Sequence, residues 1–129
     1  MLDKLKKHHL GFVVAPDSVP MLEKKFGKSF HSDAIQGISV CFLWNEATGL
    51  YDEYFTAEGR AKNYALGFNH ICYEVPSNEK LDEFDAYLRE NKLGFRLTFL
   101  ERSGSQECGM VCFYKIQDQG IVELNIPVP

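Results

Sequence analysis

His9-Leu10-Gly11-Phe12-Val13-Val14 returns later in the chain as His70-Ile71-Cys72-Tyr73-Glu74-Val75, and this recurrence decides the fold. Both segments open on a histidine and have the alternating character of a strand with one buried face. A turn and an amphipathic stretch follow each. After the first, Ser18 predicts a capped helix that runs to Phe26 and is ended by Gly27. After the second, Ser77 or Asn78 predicts a helix carrying Leu81, Phe84, Tyr87 and Leu88 at three- and four-residue spacing, finishing near Asn91 before Gly94.

The repetition continues beyond the helices. Val40-Cys41-Phe42 comes back as Val111-Cys112-Phe113, and a glycine follows each triplet seven residues later, Gly49 and Gly120. Each glycine leads into a strand bearing carboxylates, Leu50-Tyr51-Asp52-Glu53-Tyr54-Phe55 and Ile121-Val122-Glu123-Leu124-Asn125-Ile126. The fold class predicted is α+β, with two βαβββ modules at about residues 5–60 and 66–127 inside a single domain of 129 residues. A module with one apolar sheet face cannot bury that face alone. The two are therefore expected to close into one cupped, barrel-like mixed sheet with the helices outside. The second half has about ten more residues between helix and triplet, around Arg102-Ser103-Gly104-Ser105-Gln106-Glu107. They read as a loop or hairpin tip, with Ser103-Gly104-Ser105 as a flap over the mouth of the cup.

Composition narrows the function classes. A formal charge of −4 and the lack of a basic stripe exclude a nucleic-acid partner, whose phosphates attract Lys and Arg. No run of 18 apolar residues exists to span a membrane, and the opening Met1-Leu2-Asp3-Lys4-Leu5-Lys6-Lys7 is too polar for an export signal. The expected location is the cytoplasm, with the four cysteines as reduced thiols. Cys41, Cys72 and Cys112 lie in apolar runs and read as core residues. Cys108 and Cys112 have no second cysteine–histidine pair with which to build a structural zinc site.

Alternate residues of a strand share a face. A histidine heading each repeat and a carboxylate on each final strand can all point into the shared cup: His9, His70, Glu123, and either Asp52 or Glu53. Two neutral imidazoles and two carboxylates suit one divalent cation, Zn²⁺, Ni²⁺, Co²⁺, Mn²⁺ or Fe²⁺, with geometry choosing among them. In an octahedral site, four protein ligands leave two adjacent positions for water or a chelating substrate.

The order of a histidine-led strand, Gln36-Gly37-Ile38-Ser39-Val40, an acidic strand, His70-Ile71-Cys72-Tyr73-Glu74-Val75 and Gly120-Ile121-Val122-Glu123-Leu124 resembles the vicinal oxygen chelate superfamily. Within it the chain is most similar to the methylmalonyl-CoA epimerases. The resemblance implies metal ligation by His9, Glu53, His70 and Glu123. Placing Glu53-Tyr54-Phe55-Thr56-Ala57 on the family's acidic strand selects Glu53 and brings Gly59-Arg60 into register. An ungapped superposition of the two halves instead sets Asp52 opposite Glu123, and the two neighbours face opposite ways.

The same resemblance implies isomerase or epimerase chemistry through an enolate of a small acid or acyl thioester, with Glu123 as ligand and base. Epimerisation also needs a proton donor on the far side of the enolate. Some family members carry a glutamate there, whereas this chain carries Val40. Glu74 is placed at the cup's rim in a surface or salt-bridged role; Tyr51 or Tyr54, both on the acidic strand, could donate a proton through a phenol, with packing the first expectation for each. Arg60 and Lys62 are read as solvated surface, with an acidic substrate as the alternative. A glyoxalase I-type lyase would use the same four ligands, and a non-catalytic protein that sequesters a small molecule would use the same cup. Extradiol dioxygenases of the superfamily have more modules than this chain. Pairing of two chains edge to edge is a further expectation of the resemblance.

Overall fold

The computed structural model describes residues 2–103 and 109–127. In chain order the elements are β1 (Lys6–Val14), α1 (Val19–Phe26), β2 (His31–Asp33), β3 (Ile38–Asn45), β4 (Leu50–Thr56), β5 (Gly67–Glu74), α2 (Asn78–Glu90), β6 (Gly94–Arg96), β7 (Glu101–Arg102), β8 (Gly109–Ile116) and β9 (Gly120–Pro127). The chain is α+β, and each half reads strand, helix, strands, as the repeat predicts. It divides into two compact units. One is His9–Asn69; the other is the stretch ending at His8 together with the chain from His70 onward.

Within the first unit the strand order is β2-β3-β4-β1; within the second it is β6-β8-β9-β5, with β7 on β8. In each half the two long strands form an antiparallel hairpin, β3 with β4 and β8 with β9, and the histidine strand runs parallel to its second arm. A parallel pair needs a crossover. That crossover contains α1 in one half and α2 in the other.

The helix boundaries follow the residues. Gly27 ends α1 in the left-handed region at φ 66°, a conformation glycine adopts without penalty. Ser77 caps α2, its hydroxyl accepting the Lys80 N–H at 3.2 Å. Ser18 departs from expectation. A short 3-10 turn, Pro16–Ser18, precedes α1, so Ser18 already has helical backbone angles and its hydroxyl donates back to the Ala15 carbonyl at 2.6 Å.

α2 buries Leu81, Phe84 and Leu88 against Tyr73, Val75, Cys112, Tyr114, Val122 and Leu124. Tyr87, expected on the same face, is 39% exposed. At about 25 cal/mol per Å² of apolar surface removed from water, such a cluster is the main stabilising term of this half. The first half has a smaller cluster of Val13, Ile38, Val40, Phe55 and Ala61. It lies on the other side of its sheet from α1, since Val13 and Phe55 alternate with Phe12 and Tyr54. Phe12, Tyr54 and Phe26 of α1 stack on the helix side. Cys41, Cys72 and Cys112 are buried thiols. Burial raises the Cys41 thiol and pushes the Cys112 thiol up to about 11, so both stay protonated at neutral pH. Cys108 and the predicted flap residues Gly104 and Ser105 lie outside the described residues, as do Gln106 and Glu107. Ser103 is buried.

Candidate metal centre

Each half presents one buried imidazole against one buried carboxylate. His9 Nε2 lies 3.4 Å from Glu53 Oε1, and His70 Nε2 lies 3.0 Å from Glu123 Oε1. These four residues are between 0% and 5% exposed, although glutamate is rarely buried to that degree. The edge of a phenylalanine packs beside each pair. The His9 and Phe42 ring centroids are 5.3 Å apart at 81°, and those of His70 and Phe113 are 5.5 Å apart at 85°.

Strand register accounts for the likeness. Gly11, two residues after His9, lies opposite Glu53, and Cys72, two residues after His70, lies opposite Glu123. Across each hairpin Phe42 faces Glu53 and Phe113 faces Glu123. Histidine, carboxylate and phenylalanine therefore form the same constellation twice.

The register also separates Glu53 from Asp52. The β3–β4 hairpin closes on Asn45 opposite Leu50, leaving residues 46–49 in its turn, whereas the β8–β9 hairpin closes on Ile116 opposite Gly120, leaving 117–119. The first turn holds one residue more, so an ungapped superposition of the halves slips by one position past it. Asp52 pairs with Leu10 and takes a hydrogen bond at 3.1 Å from Asn45 Nδ2. Glu53 is the carboxylate on the face of His9.

The donor set fits a divalent metal. Imidazole nitrogen and carboxylate oxygen bind such ions at about 2.0–2.2 Å, so neighbouring ligands at right angles stand about 3 Å apart. Both pairs have nearly that spacing without rearrangement. Imidazole with carboxylate is also a set that first-row transition metals accept.

Other sequence-predicted candidates fall elsewhere. Val40 is fully buried in the apolar cluster of the first half, so no acid stands at that position. Tyr54 faces α1, away from Glu53, and burial raises its phenol; it packs, as expected. Tyr51 shares the face of Glu53 and sits in a ladder of rings, 6.2 Å from Phe42 and 5.0 Å from Trp44. Glu74 meets Lys6 Nζ at 3.7 Å, the salt-bridged role expected of it. Arg60 and Lys62 are exposed. Sequence reading singled out the Val-Cys-Phe triplets as markers of the repeat but not the contact their phenylalanines make with the histidines. It also passed over Asn125, a buried polar residue on the strand of Glu123.

No family model matches the sequence, and no curated protein matches it. Solved structures do match. Methylmalonyl-CoA epimerase from Mycobacterium tuberculosis superposes with a TM-score of 0.65 at 18% identity, over 96% of this chain and 89% of the other. The Streptomyces coelicolor epimerase in complex with 2-nitronate-propionyl-CoA gives 0.61 at 16% identity, over 98% of this chain and all (100%) of its own. The 2,3-dioxygenase LapB from Pseudomonas sp. KL28 gives 0.58 at 16% identity, over 95% of this chain but 40% of the dioxygenase. Epimerases and dioxygenases of this kind share one superfamily, and the chain described here has its fold, that of the vicinal oxygen chelate proteins.

Proposed function

We propose that His9, Glu53, His70 and Glu123 hold one divalent cation and that the protein is a metal-dependent isomerase or epimerase acting on a small acid or acyl thioester. The observation that carries this reading is the twofold occurrence of one His–Glu–Phe constellation at identical register. Duplication of an apolar core needs no buried acid. Retention of a buried glutamate beside each histidine is costly unless the charge is compensated, and a shared cation would compensate both.

The cation would supply a Lewis acid that stabilises negative charge developing on a substrate oxygen. Glu123 is the base: its carboxylate takes the proton from the carbon beside that carbonyl, and the planar enolate is then reprotonated with a proton exchanged with solvent. Glu53 is its counterpart in the other half by register, and Val40 supplies no acid for the far side of the planar enolate. His9 and His70 orient the two carboxylates, and the edges of Phe42 and Phe113 keep water from the imidazoles.

Loading the protein with Ni²⁺, Co²⁺, Mn²⁺ or Zn²⁺ and incubating it with methylmalonyl-CoA in D₂O tests the reading. Deuterium is expected at the α-carbon, and Glu123→Gln should slow its entry by about 10²–10⁴-fold, the usual contribution of a general base. Absence of label with every metal removes the epimerase reading. The buried valine in place of a second acid favours one alternative, a glyoxalase I-type lyase in which Glu53 and Glu123 carry the proton between adjacent carbons. Turnover of a hemithioacetal without exchange of methylmalonyl-CoA would select it. A metal-free protein that is unaffected by His9→Ala and His70→Ala would instead be a non-catalytic binder.

A further inference from the structure

The two halves agree at the His–Glu pair and part company two residues beyond it. Past Gly11 and Glu53 in the first half, the next residues on the same face are Val13 and Phe55, which face each other and pack into the apolar cluster with Val40 and Ala61. Past Cys72 and Glu123 in the second half, the corresponding residues are Glu74 and Asn125. An apolar plug in one copy is a carboxylate and an amide in the other.

Asn125 is 4% exposed, and its Oδ1 has no hydrogen-bond partner among the described residues. An unsatisfied buried carbonyl costs stability and is uncommon in native proteins. The apolar core does not explain it, because Val122, Leu124 and Ile126 of the same strand supply the side packed on α2 and Asn125 alternates with them. It shares the face of Glu123, two residues and roughly 6.6–6.8 Å further along the strand. Room for the amide comes from the neighbouring strand. A Cβ at Gly109 would stand 2.0 Å from Asn125 Oδ1. The backbone of Gly109 is not in the left-handed region, so the space a side chain would occupy, rather than backbone freedom, is what glycine provides there.

We propose that Asn125 is a specificity residue for the reaction at His70 and Glu123, with Oδ1 accepting a hydrogen bond from an N–H or O–H group of the bound substrate. The inference rests on the function proposed above and narrows its substrate class. The substrate carries a donor on the arm leading away from the reacting carbon, as an acyl thioester does when an amide N–H follows the sulfur by a few bonds. A plain aliphatic acid leaves the amide oxygen unpaired and is discriminated against, since a site built around a polar group rejects analogues that lack the partner.

The test compares two probes with the metal-loaded protein: the propionyl thioester of N-acetylcysteamine and its twin with an ester oxygen in place of the amide N–H. Calorimetry should show the native protein preferring the amide by about tenfold, the usual worth of one hydrogen bond. Asn125→Leu should lose the preference while keeping or raising its melting temperature, because a buried unpaired acceptor has been replaced by an apolar group of similar size. Gly109→Ala should also weaken the preference, by pushing the amide aside. A native protein that does not prefer the amide, a leucine variant that still does, or a leucine variant that melts several degrees lower overturns the assignment. The two readings fail separately. A persistent preference without α-carbon exchange sinks the epimerase chemistry and leaves Asn125 in place, whereas exchange without preference does the reverse.

Discussion

At the scale of single residues, the choice between Asp52 and Glu53 shows how a function can depend on alternation. The two are adjacent, both acidic and both on β4, yet only Glu53 lies against a histidine, at 3.4 Å from His9 Nε2. Asp52 bonds instead to Asn45, at the end of β3. Glu53→Gln is therefore expected to lower bound metal after dialysis to well below one equivalent, while Asp52→Asn retains it; inductively coupled plasma analysis of both variants decides the matter. Composition and spacing left this pair open because the clue lies in turn length, which becomes visible only when both hairpin registers are known. The histidines were legible because each heads a repeat. Asn125 was not, because one amide in an apolar strand carries no periodic signal.

At the scale of elements, α2 is tied to its sheet by a partly buried polar cluster as well as by its apolar face. The Tyr114 hydroxyl donates to Asp85 Oδ1 at 2.7 Å and accepts from Arg96 Nε at 3.1 Å, while Arg89 Nε donates to Asp85 Oδ2 at 2.7 Å. Burial alone would raise the Asp85 carboxyl. The bonds from Tyr114 and Arg89, with the charges of Arg89 and Arg96, outweigh burial and hold it below its ordinary 3.8. A carboxylate held lower in the folded chain than in the unfolded one stabilises the fold above the unfolded pKa, and that stabilisation is lost as pH falls through the folded value. Asp85→Asn should thus be less stable than the native protein at pH 7, and the gap should close as acid takes the pH below the ordinary value. Urea midpoints across that range measure it. The caps allow a parallel comparison. Ser77→Ala should cost about 1 kcal/mol, the usual worth of an N-cap bond, whereas Ser18→Ala removes no bond to the N–H groups of α1. The sequence identified both serines correctly as boundary residues. It could not reveal the 3-10 turn that changes the role of Ser18, because such a turn depends on local geometry around Pro16 rather than on pattern.

At the scale of the whole molecule, repetition made the architecture readable. A strand, a helix and a hairpin recur in one order, and the structure has them in that order with matching strand neighbours in each unit. The agreement holds although no family model matches the sequence. Hydrophobic alternation and turn residues are enough to specify such elements, while overall residue identity drifts far below what sequence comparison detects. No helix among the described residues is long and apolar enough to cross a membrane, in keeping with the composition. Less legible was the way the halves diverge: one carries Val13 and Phe55 where the other carries Glu74 and Asn125, and that contrast needs two registers laid side by side.

The surplus residue in the turn at 46–49 has a practical consequence. That tip took up a change in chain length while every pairing below it stayed in step with its counterpart, and Glu46, Ala47, Thr48 and Gly49 are all exposed. It is therefore the natural place to graft foreign sequence. A short epitope inserted between Ala47 and Thr48 should leave the circular dichroism spectrum and metal content intact. Trp44, the sole tryptophan, stands on the adjoining strand as a built-in fluorophore to report whatever binds the graft.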